Sequence, residues 1–406
     1  MPYLSPNEPL TLAALATLLR SSEAVRLSPE AEQHLAVSPL AAELVTEGPT
    51  QVPATVLTAL AVGTGPELPA ALVRRMLLLA AYRLGRAGEP GAGPVVRRLL
   101  DFYSREVWPV VYEQGSLGAG NDQIPLAHLA LPLAGLGEVT YQGYRLAASD
   151  VLGLFGWEPP QLSPALVLRL LSGSDFTLAY ATEALERAEH LRHAAATLVD
   201  LAAPASSSTD NHADLVNVQL AIEAALAATS EPTPRSLAEL LPTTSVPSAS
   251  MDSAFNQLIN NAAQVGAQSA QRTAALVARP GHLAAEPAQQ LGFWALPRAA
   301  ASLVQLLGAD QDAANTPAAL RGAAAALGAR RAVELAEQLL GLELLAVAQA
   351  LTLQEQAGQD LGHPLSPALG QAVAAFREHV TFAAHDRVLA PDLHRAARFV
   401  REHVWA

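Results

Sequence analysis

Beyond Ser163, apolar residues recur three and four positions apart over stretches far longer than any in the first third of the chain. That spacing puts them on one face of a helix. It predicts long helices over 164–201, 252–278, 290–307 and 317–356, and the last carries Leu, Ala and Val around most of its circumference, as a helix buried on several sides does. The first third reads as short helices punctuated by proline. Ser28-Pro29-Glu30 and Ser38-Pro39 mark two starts, each with a serine to cap the free N–H groups and a proline in the first turn. Apolar helices follow over 53–60 and 68–86, the glycines and prolines of 86–94 interrupt the pattern, and a further helix spans 95–110. A helix opens at 124–136 with Pro125 near its first turn and Leu126, Leu129 and Leu133 on one face. Over 138–146 the period changes from helical to alternating, with Gln142-Gly143 in the middle, which predicts one small hairpin. The segments 203–211 and 229–250 read as loops, the second partly disordered by its prolines, serines and threonines.

The expected fold is therefore all-α with a small β-hairpin in an N-terminal domain. The change from short to long helices divides the chain into 1–162 and a long-helix bundle over 163–406. Composition agrees, because half of the residues are apolar and only 5% aromatic, a mixture of Ala and Leu that favours helix over strand. A net charge of −13 disfavours nucleic-acid phosphates and anionic membrane surfaces. The opening residues lack the basic start and long apolar run of a signal peptide, so a cytoplasmic protein without a membrane segment is expected. Two absences restrict the chemistry. With no cysteine there is no thiol nucleophile or thiolate metal site, and with no lysine among the 25 basic residues there is no Schiff base and no Walker-type phosphate loop.

Gly115 to His128 read GSLGAGNDQIPLAH. This loop resembles the signature of the aromatic amino-acid ammonia-lyase family, histidine and phenylalanine lyases and related aminomutases, which runs Gly-Ser-Val-Gly-Ala-Ser-Gly-Asp-Leu-Ala-Pro-Leu-Ala-His. The likeness extends through 61–65, 77–100, 108–115, 133–138 and 146–152, from about Leu60 to about Thr182. It implies an ammonia-lyase/fumarase-like helical bundle and a homotetramer whose active sites draw on more than one subunit. In the family the inner Ala-Ser-Gly cyclises into a methylidene-imidazolone, the electrophile. Here those places hold Ala119, Gly120 and Asn121.

The methylidene is the former serine side chain after loss of its hydroxyl, and Gly120 has no β-carbon to supply it. Asn121 in turn replaces the glycine that tolerates the compressed turn best. No cofactor is expected. Other family positions also depart: the base-bearing tyrosine segment has no counterpart between Ala41 and Thr58, and Asn-Gly-Thr becomes Ser172-Gly173-Ser174, with Ser172 as the candidate substrate contact. The substrate-carboxylate arginine motif is missing between Asn211 and Leu240, and Asp312 to Thr316 replace the acidic stretch. The resemblance, with these losses, implies a pseudoenzyme that binds a small aromatic amino acid or assembles with itself or an active relative. The alternative is an active lyase or aminomutase working on histidine, phenylalanine or tyrosine by a modified mechanism.

Other polar clusters weigh less. Glu183, Glu186, His190 and His193 share a helical stripe that could offer metal ligands, yet one helix rarely completes a site alone, and a solvated or ion-paired stripe is the commoner outcome. Asp122 and His128 read as loop supports ahead of an acid–base pair. Ser116 lacks the flanking elbow of a hydrolase nucleophile and reads as structural. His379, His385, His394 and His403 fall among Arg and Glu residues and read as an exposed face.

Overall fold

The computed structural model describes residues 2–21, 23–37, 52–116, 122–199, 212–227, 249–278, 283, 291–315, 323–357 and 366–405. Helices dominate them, as the apolar period predicts, and the chain divides into two compact units. The first comprises Met1–Glu183, Leu220–Asp252 and Arg321–Ala326; the second comprises Ala184–Gln219, Ser253–Leu320 and Leu327–Ala406. The boundary between them falls inside the helix Asp175–Val199.

The first unit is built on the antiparallel helices Ala70–Ala87 and Ala92–Ser104. Met76, Leu77, Leu84, Val95 and Leu99 are fully buried there, and each such side chain withdrawn from water contributes on the order of 1.5–3 kcal/mol. The second of these helices stops at Ser104, short of the predicted 110, because Trp108–Pro109 leaves as a strand that pairs with Glu138–Tyr141. Glu138–Tyr141 and Tyr144–Ala147 form the predicted hairpin, and Gln142 and Gly143 both take positive φ, 50° and 80°, as the tight turn between twisted strands requires. A second antiparallel pair, Thr64–Glu67 with Tyr112–Gln114, delivers the chain to the signature loop. After the loop, helix Gln123–Ala130 tightens into a 3-10 turn over Leu131–Ala134 that ends at left-handed Gly135.

The second unit centres on the 34-residue helix Ala323–Gln356. By length and composition this helix meets the requirement for crossing a membrane, yet 89% of its most apolar window is buried inside the protein. Its buried charges are paired: Arg187 grips Glu337 with Nε and Nη2, both at 2.8 Å, Arg401 Nε adds a third bond at 2.9 Å, and Arg272 Nη2 meets Glu343 at 2.8 Å. Such two-pronged guanidinium–carboxylate contacts fix register between helices more than they add stability. Ser366 and Ser163 cap their helices as serine before proline should, accepting from Leu369 N at 3.2 Å and Leu166 N at 3.1 Å.

Two of the long predicted helices are broken. The expected 164–201 helix is Pro164–Leu171 followed by Asp175–Val199, and the expected 290–307 helix is Leu291–Trp294 followed by Leu296–Asn315, which runs past its predicted end. The first break has a long-range cause described below. The helices expected at 252–278 and 317–356 are found as Ala249–Val277 and Ala323–Gln356. The predicted start at Ser38-Pro39 and the loops at 203–211 and 229–248 lie outside the described residues.

Candidate functional site

The stem of the signature loop rises from the strand Tyr112–Gln114 and re-enters at the N-terminus of helix Gln123–Ala130. Gly115 takes φ +136°, and a Cβ there would lie 2.5 Å from Ile124 Cγ2, so only glycine lets the chain leave the strand so close to the following helix. Residues 117–121, and with them Ala119, Gly120 and Asn121, lie outside the described residues. The two sides of the loop are joined: the Ser116 hydroxyl donates to Asp122 Oδ1.

Asp122 is wholly buried. Its Oδ2 accepts from the backbone N–H of Thr177 at 2.9 Å and its Oδ1 accepts from the Thr177 hydroxyl at 3.0 Å. Thr177 lies in the first turn of the helix Asp175–Val199, where N–H groups have no partner within the helix, so a side chain distant in sequence caps that end. Burial raises the Asp122 carboxyl to about 7, against the downward pull of its bonds from Ser116 and Thr177 and with a small further push from the Asp175 charge. The same helix meets the strand leading into the loop, where the fully buried Tyr180 donates to Glu113 Oε1 at 3.4 Å.

Arg83 ties this anchor into the unit. Its Nε and Nη2 hold the buried Asp175 carboxylate at 3.1 and 2.6 Å, and Nη1 and Nη2 donate to the carbonyls of Arg169 and Leu170 at 2.6 and 3.2 Å. Those carbonyls are the open C-terminal end of helix Pro164–Leu171, where a cation is favoured. The guanidinium passes so close to Gly173 that a Cβ there would lie 2.4 Å from Arg83 Nε. This is why the helix predicted across 164–201 is interrupted at Ser172-Gly173-Ser174: the backbone makes room for a buried arginine from another helix. Ser172, the candidate substrate contact, is the C-cap residue, and its hydroxyl donates to Arg169 O at 3.2 Å.

The remaining candidates separate in space. No hydrogen bond joins Asp122 to His128 among the described residues; His128 Nε2 accepts from Gly63 N at 3.0 Å and the ring stands edge-on to Tyr112 at 5.1 Å. Burial holds the His128 imidazole below its usual value. Along Glu183, Glu186, His190 and His193 the side chains pass from buried to exposed, and among the described residues no group of three or more acids and histidines is placed to hold a metal. His379, His385 and His394 are exposed as expected, whereas His403 is half-buried and stacks on Phe399 at 4.5 Å. Arg83, Asp175, Thr177 and Tyr180 were not among the sequence candidates. Their signal was faint: an arginine inside an otherwise apolar helix, and a glycine between two serines.

A family model described as aromatic amino acid lyase matches residues 40–221, which include the whole loop stem and its anchor. Histidine ammonia-lyase of Deinococcus radiodurans is 35% identical over 188 residues, 41% of this chain and 36% of that protein. Histidine ammonia-lyase of Idiomarina loihiensis is 32% identical over 243 residues, 53% of this chain and 47% of that protein. Over residues 40–221 the chain is similar to the aromatic amino-acid lyase family. In three dimensions the chain is similar to histidine ammonia-lyase from Trypanosoma cruzi, with a TM-score of 0.81 and 18% identity over 99% of this chain and 93% of that one. Tyrosine aminomutase from Streptomyces globisporus gives a TM-score of 0.80 at 17% identity over 99% and 97%. At such identities these two structures speak for the fold alone, and the sequence matches take in less than half of either curated relative. The methylidene-imidazolone that the family resemblance implies does not fit residue 120, since glycine lacks the carbon from which the methylidene is made.

Proposed function

We propose that this chain is a divergent, histidine ammonia-lyase-like protein that builds no methylidene-imidazolone, is catalytically impaired or inactive, and serves in ligand binding or oligomer assembly. Gly120 carries the reading, because no rearrangement of its surroundings adds a β-carbon. Loss of the electrophile together with the base, the carboxylate anchor and the acidic stretch removes several independent contributions to the barrier. The intact base of the loop supports a retained architecture, and a small aromatic amino acid is the ligand class that suits it. Assembly as a homotetramer, or with an active relative, is the second part of the proposal and is supported by the likeness of fold.

The test is a sensitive assay of ammonia release and isomerised product from histidine, phenylalanine and tyrosine. No product above background is expected, and turnover at rates typical of active relatives would overturn the reading in favour of a modified mechanism. A rise in melting temperature with one of these amino acids or its deaminated acid would support the binding role, since a ligand held only by the folded state stabilises it. Absence of any shift at millimolar ligand would refute that role. A monomer at all concentrations in light scattering would refute the assembly role.

A further inference from the structure

Beside the two elements that carry the loop stem, the first unit contains a cleft of about 330 Å³ whose wall includes His128, Tyr112, Val110, Leu131, Leu136 and Glu138. The size is at the lower end of the range for small-molecule sites. We propose that this cleft binds a small uncharged molecule that joins one hydrogen-bond acceptor, such as an amide or ketone oxygen, to a compact ring or aliphatic body.

The polar half of the recognition comes from His128. Because its Nε2 accepts from the Gly63 N–H at 3.0 Å, the ring proton of the neutral imidazole resides on Nδ1. Burial, by holding the imidazole below its usual value, keeps that neutral form dominant near pH 7. Nδ1–H has no partner among the described residues, on a half-buried ring that lines the cleft. A half-buried donor of this kind gains from an acceptor that water supplies poorly. Of the other polar groups on the wall, Thr58 Oγ1 donates to Ala54 O at 2.9 Å, Tyr112 Oη accepts from Arg145 Nη2 at 3.1 Å, and Glu138 Oε2 holds the same guanidinium at 2.6 Å. Val110, Leu131 and Leu136 offer apolar surface for the body of the ligand.

Charge narrows the class. Arg145 is shared between Glu138 and Glu67, leaving one excess negative charge at the rim, which together with the net −13 of the chain opposes an anion. A cation would face an imidazole N–H donor within the cleft, while Glu138, half exposed and already paired, screens poorly in its favour. An uncharged acceptor meets neither penalty.

Cyclohexanecarboxamide is a suitable probe, with cyclohexanecarboxylate and cyclohexylamine as charged analogues of the same ring. Titration into the full chain, followed by ligand-observed NMR and by the His128 imidazole resonances, is expected to show millimolar or tighter binding of the amide and at least about tenfold weaker binding of both charged analogues. His128→Gln places an amide oxygen where Nε2 accepts from Gly63 and removes the Nδ1 donor; Leu136→Trp fills the mouth from a side chain that is 39% exposed. Each is expected to weaken the amide at least about tenfold while leaving the melting temperature near that of the parent. No amide binding to the parent chain, or unchanged binding to both variants, would overturn the site. Equal or tighter binding of either charged analogue would overturn the class of ligand. The outcome is independent of the loop chemistry, since Gly120→Ser with Asn121→Gly is expected to bind the amide as the parent does.

Discussion

The base of the signature loop and residues 119–121 within it answer to different demands. At the base, Ser116, Asp122 and Thr177 are joined by hydrogen bonds, Asp175 is locked to Arg83, and Tyr180 reaches Glu113. Between Ser116 and Asp122 in the sequence, Ala119-Gly120-Asn121 stands where the family signature has Ala-Ser-Gly. The contrast teaches that the architecture and the chemistry of this site answer to separate physical demands. Buried charges and unsatisfied helix ends penalise any change at the base whether or not the protein turns over a substrate, whereas the electrophile depends on a single side chain at residue 120.

The largest effect on that contrast should come from Arg83→Ala, which leaves Asp175 as an unpaired buried charge and opens two carbonyls of helix Pro164–Leu171. A loss of about 3–5 kcal/mol is expected in denaturant unfolding. A change under about 1 kcal/mol would show that the base is not under the constraint described.

Asp122 provides the next test through pH. Its carboxyl stands near 7 in the folded chain against 3.8 when unfolded, so the unfolded state releases its proton first as pH rises. The contribution is full below pH 3.8 and is lost as pH climbs through about 7, by roughly 4 kcal/mol at most. Asp122→Asn should flatten this slope; a parent and variant with parallel stability–pH curves would show that Asp122 does not titrate in that window.

Gly173→Ala should cost roughly 1–3 kcal/mol, because the added methyl overlaps the Arg83 guanidinium at 2.4 Å. Combining it with Arg83→Ala should cost less than the sum of the two, and strict additivity would separate Gly173 from the base. At the small end, Arg145→Ala on the exposed side of the hairpin should change stability by about 1 kcal/mol or less despite its contacts with Glu67 and Glu138, as solvent-exposed pairs usually do.

Much of this was legible from the sequence where local chemistry decides. Gln142-Gly143 announced the hairpin turn, serine before proline marked the helix start at Ser28, and the three-and-four spacing located the long helices. The loop was visible through its resemblance to the family. What escaped was set by partners far apart in the chain. Nothing near Ser172 signals that Arg83 arrives from another helix, and Asp122, legible as a loop support, carries no sign of the burial against Thr177 that raises its pKa. The early end of helix Ala92–Ser104 likewise follows from strand pairing with Glu138–Tyr141, not from its own residues.

Peptide-resolved mass analysis across 115–123, with an absorbance spectrum of the intact chain, tests the separation of architecture from chemistry most directly. The expected peptide has its encoded mass and no conjugated chromophore. A peptide lightened by loss of water, absorbing as a methylidene-imidazolone does, would contradict it.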